Sequence, residues 1–600
     1  MNIDVHKVFA EYFKGTDDLF KAAVYAVSEK LEQGHICLDI EAYNTDRQSN
    51  ADMPNPYLDT HEKLEVSLLK KSDFIGNGLD CIQPFILFEG KLYLQRYFNY
   101  QSIIYHNIKS RVATKEKVPT QSYLQTKKGM LLLNELFPPM HGIDWQKIAT
   151  ISALNHFLTI ISGGPGTGKT TTISKILHLL FSYDSTIRVA LCAPTGKAAA
   201  RMMESLRTSQ SNLPMEDSLK HSFDSIESGT IHKLLGYIRN SIYFRHNAKN
   251  RLPYDVVIVD ECSMISAALL AKLLQAVHPT CHLMLLGDKH QLTSVEAGSI
   301  FGDLCSSIPQ DNLFSEAFLN TISEHTNISS DHLFHPNTDP SPILLDHVIT
   351  LQKSYRFADH KGIGRMAKEI LNNNIDISSI KKRPKETSDF VYFTNDYQDA
   401  RLDQYIEKYR LYIEEPDIHK AFVALNNVRF LCAVKEGPQG VAHYNLQIEK
   451  YLFGKKLLFP KPGFYHNQPI IITQNDYTHN LFNGDVGIIR REKGQALKAY
   501  FEDPEKGIKS ISTAIIEHYD TVFAMTIHKS QGSEFNHVVI ALPQRVNESL
   551  LSRQLLYTAV TRAKKDVLIL GPDHQLQLAA KHHISRASGL VELLSKEHHL

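Results

Sequence analysis

Short apolar runs of strand length, each followed by turn or small polar residues, alternate with helical stretches over most of this chain. The runs at 157–161, 188–193, 255–259 and 282–286 are close to continuously apolar. Strands buried on both faces read in this way, so the pattern predicts a parallel sheet with covering helices, an α/β unit. A second series at 421–425, 470–472, 537–542 and 566–570 predicts a second such unit in tandem. Ahead of its last strand, Leu555, Leu556, Ala559, Val560 and Ala563 fall on one face of a helix. Residues 436–520, rich in Gly, Pro and aromatics, read as a small β insertion, and polar insertions fall near 205–250 and 310–345.

The N-terminal 110 residues read differently, as mixed and largely helical, ending in "KLYLQRYFNYQSIIYHNI". There Leu92, Leu94 and Tyr97 fit a strand leading into a helix without deciding it. The run 93–105 is more apolar than a free surface needs, which leaves a docking face and an ordinary small core both open. Polar "SRVATKEKVPTQS", 110–122, reads as a linker. The expected division is an N-terminal partner-docking unit at 1–115, a first motor unit at 116–345 with an insertion near 205–253, and a second at 346–600 with its insertion near 436–520.

A chain of 600 residues has room for about three to five domains. Lys plus Arg equals Asp plus Glu at 65 each, which excludes a basic coat protein but not an enzyme with a basic channel balanced elsewhere. The 30 His residues form no H-E-x-x-H, and the 7 Cys are scattered without a C-x-x-C. That usage points to a reducing compartment without a disulfide framework or zinc site. "MNIDVHKVFAEYFKG" is not a signal peptide, and no apolar run approaches the length of a membrane span. The expectation is a soluble cytoplasmic protein with no membrane contact.

Candidate chemistry begins where the first strand ends. Gly163, Gly164, Pro165, Gly166, Thr167, Gly168, Lys169 and Thr170 fit G-x-x-x-x-G-K-[ST] position for position, with Thr171 following. Backbone N–H groups of such a loop and the positive end of the next helix face a triphosphate. Lys169 supplies charge to the β- and γ-phosphates of ATP, and the Thr170 hydroxyl is placed for Mg²⁺. "VVIVDECSMI" puts Asp260 and Glu261 at the end of a buried strand. Asp260 is the candidate to hold Mg²⁺ through water and Glu261 to orient or deprotonate the attacking water. "LLGDKHQL" repeats the arrangement with Gln291, which can bond the γ-phosphate or that water. Arg356 in "LQKSYRF" and Arg562 in "LLYTAVTRAKK" are each, taken singly, ordinary solvated or ion-paired residues. Together with the first unit they point to two arginines reaching an ATP in a cleft between two sheets, so that hydrolysis depends on closure.

The ordered set "DWQKIA", "ISGGPGTGKTTT", "LCAPTGKAAARM", "TIHKLLG", "VVIVDECSMI", "LLGDKHQLTSVEAGSIFGD", "LQKSYRF", "NGDVGII", "MTIHKSQGSEF" and "LLYTAVTRAKK" resembles superfamily 1 DNA helicases. Over essentially the whole chain it resembles their RecD family, the alpha subunits of exodeoxyribonuclease V. The resemblance implies two tandem RecA-like motor domains, a mainly helical N-terminal domain and an SH3-like insertion. It implies that Gln146 reads the adenine edge and that Gly532 and Glu534 lie near the nucleotide. Thr195, Lys197, Thr230, His232, Thr526 and His528 would line the single-strand path, and "YFRHNAKNRLP" (243–253) would wedge the duplex apart. It further implies a 5′–3′ helicase for duplex DNA ends in a RecBCD-type heterotrimer with beta and gamma subunits, the nuclease belonging to the beta subunit. Other readings are a free-standing helicase and a structural subunit that ATP merely locks. Lys289-His290 stands where the family has Arg-Asp, and Cys262 where Ala is usual.

Overall fold

The computed structural model describes residues 3–49, 54–59, 61–78, 80–114, 118–211, 217–239, 241–326, 342–357, 361–382, 390–476, 478–491, 496–503, 507–545 and 550–595. Of the expected insertion near 310–345, residues 327–341 lie outside the described residues, and Glu316–His325 is a helix.

The N-terminal unit combines its helices with a small sheet of β1 (Leu38–Asp39), β2 (Ile75–Gly76), β3 (Phe85–Phe88) and β4 (Lys91–Leu94), in the order β1-β4-β3-β2. The rings of Phe13, Phe20, Phe74 and Phe85 meet at its centre, with centroids 5.3 Å apart for Phe13 and Phe85. The strand ending at Leu94 turns directly into the helix Gln95–Val112, which settles the ambiguity around Tyr97. That helix lies against the helix Ala267–Ala276 of the next unit. At its last turn the buried Arg111 guanidinium donates to the carbonyls of Val277 (2.9 Å), Pro279 (3.0 Å) and Cys281 (3.2 Å), satisfying groups a helix end leaves unpaired. Tyr93, Phe98, Ile104 and Tyr105 are all buried within the chain. The aromatic run 93–105 is therefore internal core, and the docking face suspected there is not one.

The first large sheet holds β5 (Leu158–Gly163), β6 (Val189–Ala193), β7 (Glu227–Thr230), β8 (Val256–Val259), β9 (His282–Gly287) and β10 (Val348–Leu351). All are parallel, in the order β10-β5-β9-β8-β6-β7. Four of these match the apolar runs. β7 reads "ESGT" and forms a half-exposed edge, so periodicity does not reveal it. β10 pairs with β5 beyond the expected border at 345.

The second parallel sheet opens with β11 (Phe390–Thr394) and β12 (Val428–Cys432). An antiparallel sheet then intervenes, made of β13 (Pro469–Ile472), β14 (Val486–Arg490), β15 (Lys498–Asp503), β16 (Gly507–Ser512) and β17 (Tyr519–Thr521). The chain returns with β18 (Ala524–Thr526), β19 (Phe535–Ala541) and β20 (Ala563–Leu570), giving the parallel order β11-β20-β19-β12-β18. Two expected strands are corrected here. Residues 421–425 belong to the helix Ile418–Leu425, capped by Asp417, with Ala421, Phe422 and Leu425 buried and Val423 outside. The strand 470–472 is β13 of the antiparallel insertion and not part of the second parallel sheet.

After the helix Asp573–Lys581 the chain crosses back to the first unit. Leu590, Leu593 and Leu594 of the last helix join the same core as Ile104 and Leu270. Among the described residues no helix is long and apolar enough to cross a membrane, and no cluster of metal-ligating side chains occurs. All seven cysteines are free.

Candidate active site

β5 delivers the phosphate loop at its C-terminal end, and the helix Lys169–Tyr183 starts immediately after it. Gly168 adopts φ +86°, and a Cβ there would collide with the Gln146 amide, which donates to the carbonyl of Thr167 at 3.1 Å. Glycine is thus needed both for the turn and for the approach of Gln146. Thr167 closes the loop by donating from its hydroxyl to the Gly164 carbonyl (2.8 Å). The Lys169 ammonium rests on the carbonyls of Gly163 and Gly164, while Thr170 and Thr171 occupy the first helical turn. Residues following β10 lie over this loop: Tyr355 N–H donates to Gly166 O (2.8 Å) and Ser354 to Pro165 O (3.3 Å).

Asp260 and Glu261 follow β8, two strands away from β5 in the same sheet. Burial and the neighbouring Glu261 push the Asp260 carboxyl up to about 6, with Lys169 opposing. Glu261 takes φ +53°, an uncommon conformation for a residue with a side chain and one that concentrates at functional sites. Beyond β9, Gln291 is buried and donates to Asp288 at 3.1 Å. Its Oε1 is buried without a hydrogen-bond partner among the described residues.

The second unit closes the other side of this space. Tyr557 donates to Asp288 (3.1 Å), Thr558 accepts from Leu292 N–H (2.9 Å) and Gln531 donates to Leu292 O (2.8 Å). Arg562 is only 3% exposed and donates to Thr558 O (3.2 Å) and Ser533 O (3.1 Å). Burial lowers its guanidinium below the ordinary value, against the charges of Glu261 and Glu534 nearby. Glu534 gathers three cations: Arg201 of the first unit, Arg356 at 2.7 Å from the segment joining the units, and Lys564 at 3.2 Å. Burial opposes its ionisation, yet Arg201 and Arg356 hold the carboxyl well below the usual carboxylate range. Arg201 also donates to Gly532 O at 3.2 Å.

The remaining polar candidates lie at or just beyond the ends of β6 and β7 in the first sheet and of β18 in the second. Thr195 accepts from Ala198 N–H after β6, Thr230 from Lys233 N–H at the end of β7, and Thr526 from Lys529 N–H at the end of β18. Lys197 is half-buried, and burial together with Arg429 lowers its ammonium to about 8, against Glu502 and Asp485 of the inserted sheet. His232 and His528 are exposed, the former edge-on to Phe244 at 5.7 Å. Residues 243–251 form a mostly exposed turn in which Asn247 and Asn250 exchange backbone hydrogen bonds of 2.9 and 3.1 Å, while Phe244 and the buried Leu252 anchor it to the core.

Residues 146–297 match the AAA domain family, and 521–570 match the UvrD-like helicase C-terminal domain. Residues 2–93 match the N-terminal domain of the RecBCD enzyme subunit RecD. The RecBCD enzyme subunit RecD of Haemophilus influenzae is 32% identical, over 98% of this chain and 95% of its own length. The chain belongs to the RecD family. A second relative of the same name, from Mycolicibacterium smegmatis, is 31% identical over 96% of this chain and 94% of its own. The ATP-dependent RecD2 DNA helicase of Deinococcus radiodurans is 28% identical over 75% of this chain but only 52% of its own length. The chain is thus an ATP-dependent DNA helicase, and hydrogen bonds of Thr558, Gln531 and Tyr557 join its second unit to the first beside the loop and carboxylates just described.

Both departures from the family pattern have a local setting. Lys289 pairs with Asp311 at 2.6 Å, so its charge is used inside the first unit. Cys262 is buried with its thiol against Val259 O. Sequence reasoning missed Arg201, Lys564 and Tyr557. For Arg201 alone a local signal exists, since it follows Lys197 by one helical turn.

Proposed function

We propose that this RecD helicase moves 5′ to 3′ along single-stranded DNA, driven by ATP hydrolysis between its two sheets, in a RecBCD-type heterotrimer acting on duplex ends. In that assembly the nuclease lies in the beta subunit, and the N-terminal unit docks against partners. The exposed Ile3, Val5, Val8 and Tyr12 around its first helix support the docking role. Family membership supports the direction and the assembly. A cytoplasmic location follows from the same reading.

In this reading Gln146 meets the adenine edge, and the loop N–H groups of 163–168 cradle the phosphates. Lys169 leaves its carbonyl perches for the β- and γ-phosphates. The oxygen donors Thr170 and Asp260 would hold Mg²⁺, because a divalent cation relieves the half-buried carboxylate pair, and the ion would supply charge neutralisation at the phosphates. Glu261 orients the attacking water and takes its proton as the bond to the γ-phosphorus forms and the bridge to ADP breaks. Gln291 Oε1 finds its partner in that water. Arg562 and Arg356 neutralise the departing charge, the latter passing from Glu534 to phosphate. Thr195, Lys197, Thr230, His232, Thr526 and His528 hold the strand across both units through phosphate contacts and base stacking, and 243–253 parts the duplex. The observation that carries the reading is the burial of Arg562, from the second sheet, in the field of Glu261 from the first.

Strand displacement on two duplexes, one with a 5′ single-stranded tail and one with a 3′ tail, tests the direction. Unwinding confined to the 5′-tailed duplex is expected. Equal or preferential unwinding of the 3′-tailed one contradicts it.

A further inference from the structure

Past β20 and the helix Asp573–Lys581, residues 582–589 form a strap that leaves the second unit and runs over the other two. One nitrogen of the Arg586 guanidinium donates to three backbone carbonyls: Ser294 (2.7 Å), Glu296 (3.0 Å) and Gly298 (3.1 Å). The gathered loop lies three to seven residues beyond Gln291. Its start is already gripped by the second unit, through Thr558 and Gln531 on the two backbone groups of Leu292. The N-terminal unit completes the junction. Gly298 N–H donates to Gly34 O (2.9 Å), Ala587 N–H to the His35 ring (2.8 Å) and Ile36 N–H to Ala587 O (3.1 Å). Gly34 has φ +88°, and a Cβ on it would stand 2.6 Å from the Arg586 guanidinium carbon. Residues from all three units thus pack around one arginine, on a loop contiguous with a nucleotide-site candidate.

The start of the same loop also meets the candidate strand path: Gln531, which donates to Leu292 O, follows the turn His528–Ser530 and gives its own N–H to His528 O at 3.2 Å. A loop fastened between the nucleotide site and a candidate strand-lining turn is placed to transmit occupancy of one to the other. A fastening that comes from the second unit's own extension makes that transmission sensitive to how the units sit.

We propose that Arg586 is a positioning residue: by holding the 294–298 loop it couples strand binding to ATP hydrolysis without touching nucleotide. This rests on the motor reading above. The coupling free energy between two sites in one protein typically corresponds to about 5–150-fold, so loss of the fastening has a readable size.

The test uses the full chain, measuring ATP turnover with and without oligo-dT. Arg586→Met keeps the stem and removes the cation. It is expected to leave the DNA-free rate within about twofold and to cut the stimulation about tenfold or more. Arg586→Lys, which retains a cation with three donors, is expected to recover a large part of the stimulation. Gly34→Ala approaches the same guanidinium from the N-terminal unit and is expected to lose stimulation likewise. Gly15→Ala imposes similar backbone strain at φ +80° with nothing within 4 Å, and is expected to behave as wild type. Stimulation of Arg586→Met equal to wild type overturns the proposal. So does a parallel fall of both rates that leaves their ratio unchanged, which is the signature of a merely structural role. A wild-type chain that is itself unstimulated overturns the motor reading and this assignment with it.

Discussion

Arg562→Ala is expected to lower ATP turnover by roughly 10³–10⁵ while leaving nucleotide binding nearly unchanged, the range found when an arginine finger is lost. The side chain sits on the opposite sheet from the phosphate loop, fixed by two carbonyls of its own unit and facing Glu261 and Glu534. A group so placed meets the developing charge only when the units are closed, so it contributes to the transition state far more than to ground-state binding. Arg562→Lys keeps the charge but not the planar fork, and is expected to restore little. Turnover measured beside the affinity for a non-hydrolysable ATP analogue separates the two effects. If affinity falls as far as turnover, Arg562 is an ordinary binding residue.

Lys169→Gln is expected to abolish detectable unwinding and to cut turnover by at least about 10²–10³, the usual cost of removing a preorganised charge from a transition state. The fold should survive the change. Among the described residues the ammonium bonds carbonyls of its own loop alone, and Gln146, Thr167 and Tyr355 hold that loop independently. Circular dichroism melting alongside the kinetics makes this checkable. A variant that melts far below wild type places Lys169 in the fold, and one that unwinds normally removes it from the mechanism.

Deletion of the N-terminal residues does not isolate docking from motor function. The helix Gln95–Val112 is buried against the first unit, and Arg111 caps the helix Ala267–Ala276 that supports it. Removing residues 1–110 strips that core, so docking is better probed at the exposed Val5, Val8 and Tyr12.

Where chemistry is local, the chain reads plainly. The loop 163–170 and the pair Asp260–Glu261 each follow an apolar run, because a parallel sheet buries its strands and presents its ends to ligand. Where burial is partial or paired, the sequence is ambiguous. The run 421–425 is apolar enough for a strand, but its buried positions are spaced for a helix, one side of which faces out at Val423. The true strand, β12, contains the fully buried Arg429, which bonds main-chain carbonyls of Val522 and Leu425 and breaks the apolar pattern. The ion pairs of Glu534 with Arg201 and Arg356 join residues far apart in sequence, and no periodicity announces them. The contact of Arg586 with 294–298 is hidden for the same reason.

The most direct test of a motor whose site is completed across two sheets is the ATP turnover of the full chain with and without single-stranded oligo-dT. DNA held by both units should favour the closed arrangement that brings Arg562 and Glu261 to one nucleotide. The account predicts a low rate alone and a rise of about tenfold or more at saturating DNA. An unchanged rate contradicts it.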